Sequence, residues 1–88
     1  MAIHCIVKGK VQGVWYRQST LKKACQLGIT GWVRNSVNGD VELVAYGDEA
    51  SLSKLKEWLW QGPPMASVTE VLIENFPEKT FVDFLVYD

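Results

Sequence analysis

The chain has 88 residues, 48% of them hydrophobic and 22% charged; this composition excludes a disordered protein and predicts one small domain spanning residues 1–88. No apolar run approaches the roughly 18 residues of a membrane span, and residues 1–10 lack the features of a signal peptide, so we expect a cytoplasmic protein with no membrane partner. The net charge of −1 hides six basic residues and no acid in residues 1–39, against three basic and ten acidic residues in 40–88, which favours an anionic ligand on the first half unless the fold interleaves the two.

The first predicted element is a strand over residues 3–8 (IHCIVK), whose apolar and β-branched side chains are typical of a central strand. A helix is predicted from Arg17 to Leu27, because apolar or small side chains recur there at spacings of three and four residues. Gly28 stands where a left-handed C-cap is expected. A glycine-containing loop therefore joins the strand to the helix.

The next two elements are β-rich runs, residues 29–37 and 40–46, on either side of Asn38-Gly39. That dipeptide most readily takes positive φ at both central positions of a type I′ turn. We therefore predict a β-hairpin closed by a type I′ turn.

A second helix follows the hairpin. Asp48 is predicted to cap its N-terminus, and Gly62-Pro63-Pro64 is predicted to end it. Leu52, Leu55 and Leu59 fall on one stripe of this helix, which should face the core.

Two further strands are predicted, over residues 67–75 and 80–87. The order β-α-β-β-α-β predicts an α+β protein with the ferredoxin-like split β-α-β sandwich: an antiparallel sheet of four strands, with room for a fifth, and two helices on one face. The other face would be open to water. Because this fold hosts enzymes, RNA-binding modules and regulatory domains, it does not name a function.

Cys5 and Cys25 are the only cysteines in the chain, and His4 is the only histidine. This sparse set predicts no disulfide framework, no metal site and no cofactor bound through such ligands. We interpret both thiols as buried small hydrophobes and His4 as a packed or surface residue rather than a catalytic one.

The segment GKVQGVWYR, residues 9–17, ends on an arginine at the start of the first helix. A cation is disfavoured there by about 0.3–1 kcal/mol, because the N–H groups of the first helical turn already make that end positive. A phosphate held by converging loop N–H groups and by the guanidinium of Arg17 would remove this conflict. The alternative is a plain strand-to-helix turn with a surface arginine.

Other glycine and aromatic motifs fit this chain less well. The patterns G-x-x-x-x-G-K-[ST] and G-x-G-x-x-G are absent, and so is the aromatic RNP1 pattern of RNA-binding sheets. Six scattered cations in the first half also make nucleic acid a poor candidate partner.

Asn35 is the second candidate, near the end of the strand that precedes Asn38-Gly39. On its own it is better explained as a turn initiator that hydrogen-bonds its own backbone. A carboxamide is, however, also a neutral donor and acceptor that can hold a water molecule in a fixed orientation.

Two long segments resemble the signatures of the acylphosphatases, small ferredoxin-like enzymes that hydrolyse carboxyl-phosphate anhydrides. VKGKVQGVWYR, residues 7–17, is similar to V-x-G-x-V-Q-G-V-x-F-R, and GWVRNSVNGDVELVAYG, residues 31–47, is similar to G-W-V-[KR]-N-x-x-x-G-x-V-x-x-x-x-x-G. Within the first signature Tyr16 replaces the usual phenylalanine, and Trp15 is bulkier than many residues found there. The resemblance covers essentially the whole chain.

The resemblance implies a hydrolase that converts an acyl phosphate into a carboxylate and inorganic phosphate by direct in-line attack of water, without a metal or another cofactor. It implies that Arg17 binds the phosphate and that Asn35 positions the water. The phosphate-binding loop would be Gln12, Gly13, Val14, Trp15, Tyr16 and Arg17. The expected partners are a small acyl phosphate and, in the loop, inorganic phosphate or another anion, and we expect a monomer.

A second hypothesis keeps the fold but not the reaction. In it, the domain is a non-catalytic module that binds RNA, a nucleotide or a protein partner through the open sheet face or the basic half. Phosphate release from a synthetic acyl phosphate separates the two hypotheses.

Overall fold

The computed structural model describes residues 1–77 and 81–87. Five strands and two helices lie in the described chain, and their bounds are β1 Ala2–Lys10, α1 Tyr16–Leu27, β2 Thr30–Asn35, β3 Val41–Tyr46, α2 Glu49–Gln61, β4 Ser67–Asn75 and β5 Phe84–Tyr87. The predicted order of elements is confirmed, and so is the fifth strand.

The strands form one sheet in the order β4-β1-β3-β2-β5. The pairs β1–β3, β1–β4 and β2–β3 are antiparallel, which confirms the predicted four-stranded antiparallel sheet, whereas the fifth strand, β5, pairs in parallel with β2. The connectivity explains the exception. Strand β4 ends opposite the start of β1, and β2 begins at the same end of the sheet. Because β5 follows β4 in the chain and starts from this end, it runs in the same direction as β2.

One face of the sheet packs against both helices. Alternate residues of the central strands point to this side, and they join the leucine stripe of α2 and the inner side of α1 in a single core cluster. Leu52, Leu55 and Leu59 are each at most 1% exposed, which confirms the predicted stripe. Asp48 caps α2, since its Oδ1 accepts from the N–H of Ser51 at 2.7 Å.

The hairpin between β2 and β3 is confirmed, but its predicted turn type was wrong. Gly39 has a φ of 96°, whereas Asn38 does not have positive φ, so the type I′ geometry is absent. The N–H of Gly39 donates to the carbonyl of Ser36, and the N–H of Ser36 donates to the carbonyl of Asp40. This is the pattern of a three-residue hairpin loop with glycine in its last position.

Two other predictions need correction. The last strand begins at Phe84 and not at residue 80: residues 81–83 are not in a strand, and Thr80 lies outside the described residues. Cys25 is exposed, although Cys5 is buried as predicted, and burial raises the pKa of the Cys5 thiol to about 12. The helix places Cys25 one residue beyond the buried Ala24, on the side turned to solvent.

The two charge halves interleave in part. Lys8 lies 2.8 Å from Asp40, and Arg34 lies 2.6 Å from Glu42, so sheet pairing brings these cations of the first half to acids of the second. No helix in the described part of the chain is long and apolar enough to cross a membrane.

Candidate active site

The loop between β1 and α1 has a backbone that alternates in the sign of φ. Gly13 has a φ of 74° and Trp15 a φ of 68°, while Gln12 and Val14 do not have positive φ. Alternation between right- and left-handed conformations turns successive N–H groups toward one side and forms an anion-binding concavity. The signs of φ in this loop alternate as they do in such a concavity, and anion binding by the loop stays a prediction.

The N–H groups of this loop are not used elsewhere in the described structure. Within residues 1–77 and 81–87, the amides of residues 12–16 donate to no protein acceptor. Helix α1 begins at Tyr16, and its N-cap, Trp15, makes no side-chain cap hydrogen bond. The positive end of α1 therefore adds to the donors of the loop.

Gln12 fastens this loop to the β2–β3 hairpin. Its Nε2 donates to the carbonyl of Ser36 at 2.7 Å and to the carbonyl of Asp40 at 2.9 Å. Ser36 directly follows Asn35, so the two predicted parts of the site are tied together through one carboxamide. The sequence motif contains this glutamine, but nothing in its pattern indicated that the side chain points to the hairpin.

Arg17 lies in the first turn of α1 and lines a cavity of about 350 Å³ next to the loop. Its Nη1 donates to the backbone carbonyl of Tyr87 at 2.6 Å, at the far end of the chain. Helix α1 and strand β5 pack together, which explains how residues 70 positions apart meet here. This contact was not foreseen, because the sequence gives no sign of the parallel placement of β5.

Asn35, the last residue of β2, lines the same cavity. Its Oδ1 is buried and has no hydrogen-bond partner among the described residues. Asn38 supplies the turn contact instead, since its Oδ1 accepts from the N–H of Asp40. The turn-initiator interpretation of Asn35 was therefore wrong, because its Oδ1 makes no contact with its own backbone.

The two aromatic residues of the loop differ sharply in environment. Tyr16 is 1% exposed, and its hydroxyl donates to the carbonyl of Leu59 at 2.6 Å, which holds the start of α1 against the end of α2. Burial also raises the pKa of Tyr16, so its hydroxyl stays protonated and can keep donating. Trp15 is 76% exposed and lines the cavity, while Trp60, 51% exposed on α2, does not line it.

The cavity lining is completed by Val11, Gly13 and Gln18. No group of three or more His, Cys, Asp or Glu side chains able to hold a metal ion exists within the described ranges. His4 lies outside the cavity; its Nε2 is 2.6 Å from Glu42 and its ring stacks on Phe76. The site thus combines backbone donors, one guanidinium and the carboxamides of Gln18 and Asn35, a set that suits an oxyanion and a polarised water molecule.

Comparison with known proteins identifies a family. The family model described as acylphosphatase matches residues 3–86. An acylphosphatase of Coxiella burnetii (strain Dugway 5J108-111) is 52% identical over 84 residues, which cover 96% of this chain and 88% of that protein.

Two solved structures agree with this match. An acylphosphatase from Coxiella burnetii superposes with a TM-score of 0.95 at 51% identity and covers 98% of this chain and 90% of its own. The acylphosphatase from Bacillus subtilis also gives a TM-score of 0.95, at 30% identity, covering 99% of this chain and 98% of its own.

Proposed function

The chain belongs to the acylphosphatase family of acid-anhydride hydrolases, and we propose that it hydrolyses acyl phosphates with Arg17 and the loop amides binding the phosphoryl group and Asn35 orienting the attacking water. The products are a carboxylate and inorganic phosphate. The observation that carries the assignment of residues is that Arg17, Asn35 and residues of the loop line one cavity.

Binding of the phosphoryl group rests on the loop. The unpartnered amides of residues 12–16 offer several donors to the equatorial oxygens, and Arg17 offers a planar fork that matches two of them. These donors are positioned before the substrate arrives, so little reorganisation accompanies the reaction.

Attack by water is assigned to Asn35, which lines the same cavity as Arg17. Asn35 Oδ1 accepts a hydrogen bond from the water molecule and fixes its orientation relative to phosphorus. Phosphoryl transfer asks a protein mainly for in-line alignment and for charge compensation on the transferred group. A neutral carboxamide suffices for this task. In a loose transition state the attacking water has formed little of its bond to phosphorus, so no base is needed to remove its proton at that stage.

The leaving group needs little help. A carboxylate is a weak base, since its conjugate acid has a pKa of about 4, and so it departs without a general acid. Among the residues that the structure describes, no histidine or carboxylate lines the cavity, which agrees with this chemistry. We therefore also propose that the reaction proceeds without a metal ion.

The direct test is phosphate release from acetyl phosphate by chelator-treated protein, measured beside salt-dependent binding of a single-stranded RNA. The enzyme hypothesis expects release that saturates with substrate and continues with chelator present, with no RNA binding at about 0.15 M salt. RNA binding without phosphate release would instead favour the non-catalytic module.

We make three further proposals, which concern the oligomeric state, the location and the domain organisation of the chain. We propose a monomer. We propose a cytoplasmic location, because the exposed thiol of Cys25 suits a reducing compartment. We propose that residues 1–88 form one domain, which a single core cluster reaching from β1 to β5 supports.

A further inference from the structure

Trp15 is held in an unfavourable conformation at the mouth of the cavity. Its φ of 68° and ψ of 18° lie in the left-handed region, which glycine and asparagine enter easily and a tryptophan does not. In the described chain it is the only residue other than glycine with positive φ.

Packing does not explain why a tryptophan occupies this position. The side chain is 76% exposed, so the core would lose almost nothing if it were removed. Glycine would form the same loop without strain. A large, exposed, strained side chain next to the proposed reaction centre therefore points to a contact with the ligand.

The cavity is larger than the phosphoryl group requires. At about 350 Å³ it falls within the range of sites that enclose a small organic ligand. Arg17 and Asn35 account for one part of its lining, and the exposed indole of Trp15 is the main apolar side chain of the rest, because Val11 and Tyr16 also line the cavity but are each only 1% exposed. No acidic side chain among the described residues lines it, so an uncharged acyl group would meet no buried carboxylate.

We propose that the indole of Trp15 is the platform for the acyl group, and that the enzyme prefers acyl phosphates with a flat, apolar acyl group over those with a small aliphatic one. The inference rests on the proposed function, because the phosphoryl group must first be anchored by the loop amides and Arg17. Stacking of a flat group on an aromatic face then stabilises the bound substrate. Trp15 determines specificity and takes no part in bond breaking.

The test compares benzoyl phosphate with acetyl phosphate as substrates of wild-type protein, Trp15→Gly and Trp15→Asn. Both replacements accept the left-handed backbone, so the loop keeps its shape while the indole is lost. Trp15→Phe keeps an aromatic face, and Trp60→Ala removes an exposed indole that does not line the cavity. The quantity measured is the ratio of kcat/KM for benzoyl phosphate to that for acetyl phosphate.

We expect this ratio to fall about tenfold in Trp15→Gly and Trp15→Asn, mainly through KM for benzoyl phosphate, which corresponds to about 1.4 kcal/mol of lost binding. Trp15→Phe should retain most of the ratio and Trp60→Ala all of it. A ratio unchanged in both non-aromatic variants would overturn the inference and leave the proposed function standing. This holds if kcat/KM falls equally for both substrates and also if it does not change for either. If wild-type protein hydrolyses neither substrate, the proposed function and this inference both fall.

Discussion

Arg17 places a full positive charge at an end of a helix that is already positive, where it also donates to the carbonyl of Tyr87. A bound phosphoryl group resolves this arrangement, because its oxygens accept from both the guanidinium and the loop amides. The sequence predicts Arg17 at the start of the helix, where an arginine is unfavourable unless an anion lies beside it, and its role in binding phosphate stays a prediction. The contact with Tyr87 depends on the path of the whole chain and could not be predicted.

Replacing Arg17 tests whether its fork of donors matters beyond its charge. Arg17→Ala should lower kcat/KM for acetyl phosphate by at least about 100-fold, the usual cost of removing a preorganised donor to a transition state. Arg17→Lys should be within roughly tenfold of the alanine variant, because a point charge cannot contact two oxygens in a fixed geometry. Steady-state kinetics measure both effects. Arg34→Lys, on the open face, is the matched control, and near wild-type activity in Arg17→Ala would exclude the assigned role.

Asn35 carries the only buried side-chain oxygen or nitrogen without a partner among the described residues. Sequence reasoning could name Asn35 only through its motif, because taken alone a strand-end asparagine predicts a turn contact. That contact belongs to Asn38. What distinguishes the two asparagines is burial against the cavity, which is a property of the folded chain.

Asn35→Ala should separate turnover from binding. We expect kcat to fall by about 100-fold while the inhibition constant of inorganic phosphate changes less than about threefold, because the variant keeps every phosphate ligand and loses only the water contact. Initial rates with phosphate as competitor give both numbers. Asn75→Ala, at the end of β4, serves as control. A parallel loss of phosphate affinity and turnover would argue that Asn35 binds substrate instead.

At the scale of elements, the site is the meeting of the β1–α1 loop with the β2–β3 hairpin. Gln12 makes the connection through two hydrogen bonds to hairpin carbonyls. Helix and strand positions could be predicted because apolar periodicity and capping residues act locally. The hairpin turn could not, because Asn38-Gly39 permits more than one turn type and the choice depends on how Ser36 and Asp40 pair.

Removing the Gln12 carboxamide should loosen this connection. Gln12→Ala should lower kcat by about tenfold with a smaller effect on phosphate inhibition, since misalignment of the water is more harmful than a small shift of the anion ligands. Two lost hydrogen bonds should also lower the free energy of unfolding by about 1–3 kcal/mol. Kinetics and urea denaturation provide the measurements, with Gln26→Ala on the exposed side of α1 as control. Wild-type kcat in a destabilised variant would leave Gln12 a purely structural role.

At the scale of the whole molecule, the helices cover one face of the sheet and leave charged and aromatic side chains on the other. Glu42 sits at the centre of that open face: its carboxylate accepts from His4 Nε2 at 2.6 Å and from Arg34 Nε at 2.7 Å. Because the ionised carboxylate can only accept, His4 must donate. The hydrogen bond from His4, and then the contacts with Arg34, lower the pKa of Glu42.

A lowered carboxyl pKa makes the stability contribution of Glu42 depend on pH in a definite direction. The contribution is fully present above the unfolded pKa of about 4.3 and is lost as the pH falls through the lower folded value. Glu42→Gln should therefore reduce the free energy of unfolding by about 1–2 kcal/mol at pH 7, and the gap from wild type should be smaller at about pH 3. Urea denaturation at both pH values measures the gap. Glu74→Gln, which changes a 75% exposed carboxylate, should have a much smaller effect.

The whole-molecule topology was predictable except where the chain crosses the sheet. Five strands and two helices followed from local patterns and from the family signatures. The parallel pairing of β5 with β2 did not, because it depends on which end of the sheet β4 reaches. The placement of β5 also brings the carbonyl of Tyr87 to the guanidinium of Arg17, a contact that the sequence did not predict.

The central claim is that the backbone of the β1–α1 loop binds the phosphoryl group. Titration of ¹⁵N-labelled protein with inorganic phosphate, followed by amide chemical shifts, tests this most directly and needs no turnover. We predict saturable shifts concentrated at residues 12–17 that disappear in Arg17→Ala. Shifts centred elsewhere, for example on Lys22 and Lys23 at the outer face of α1, or no saturable shifts at all, would contradict the account.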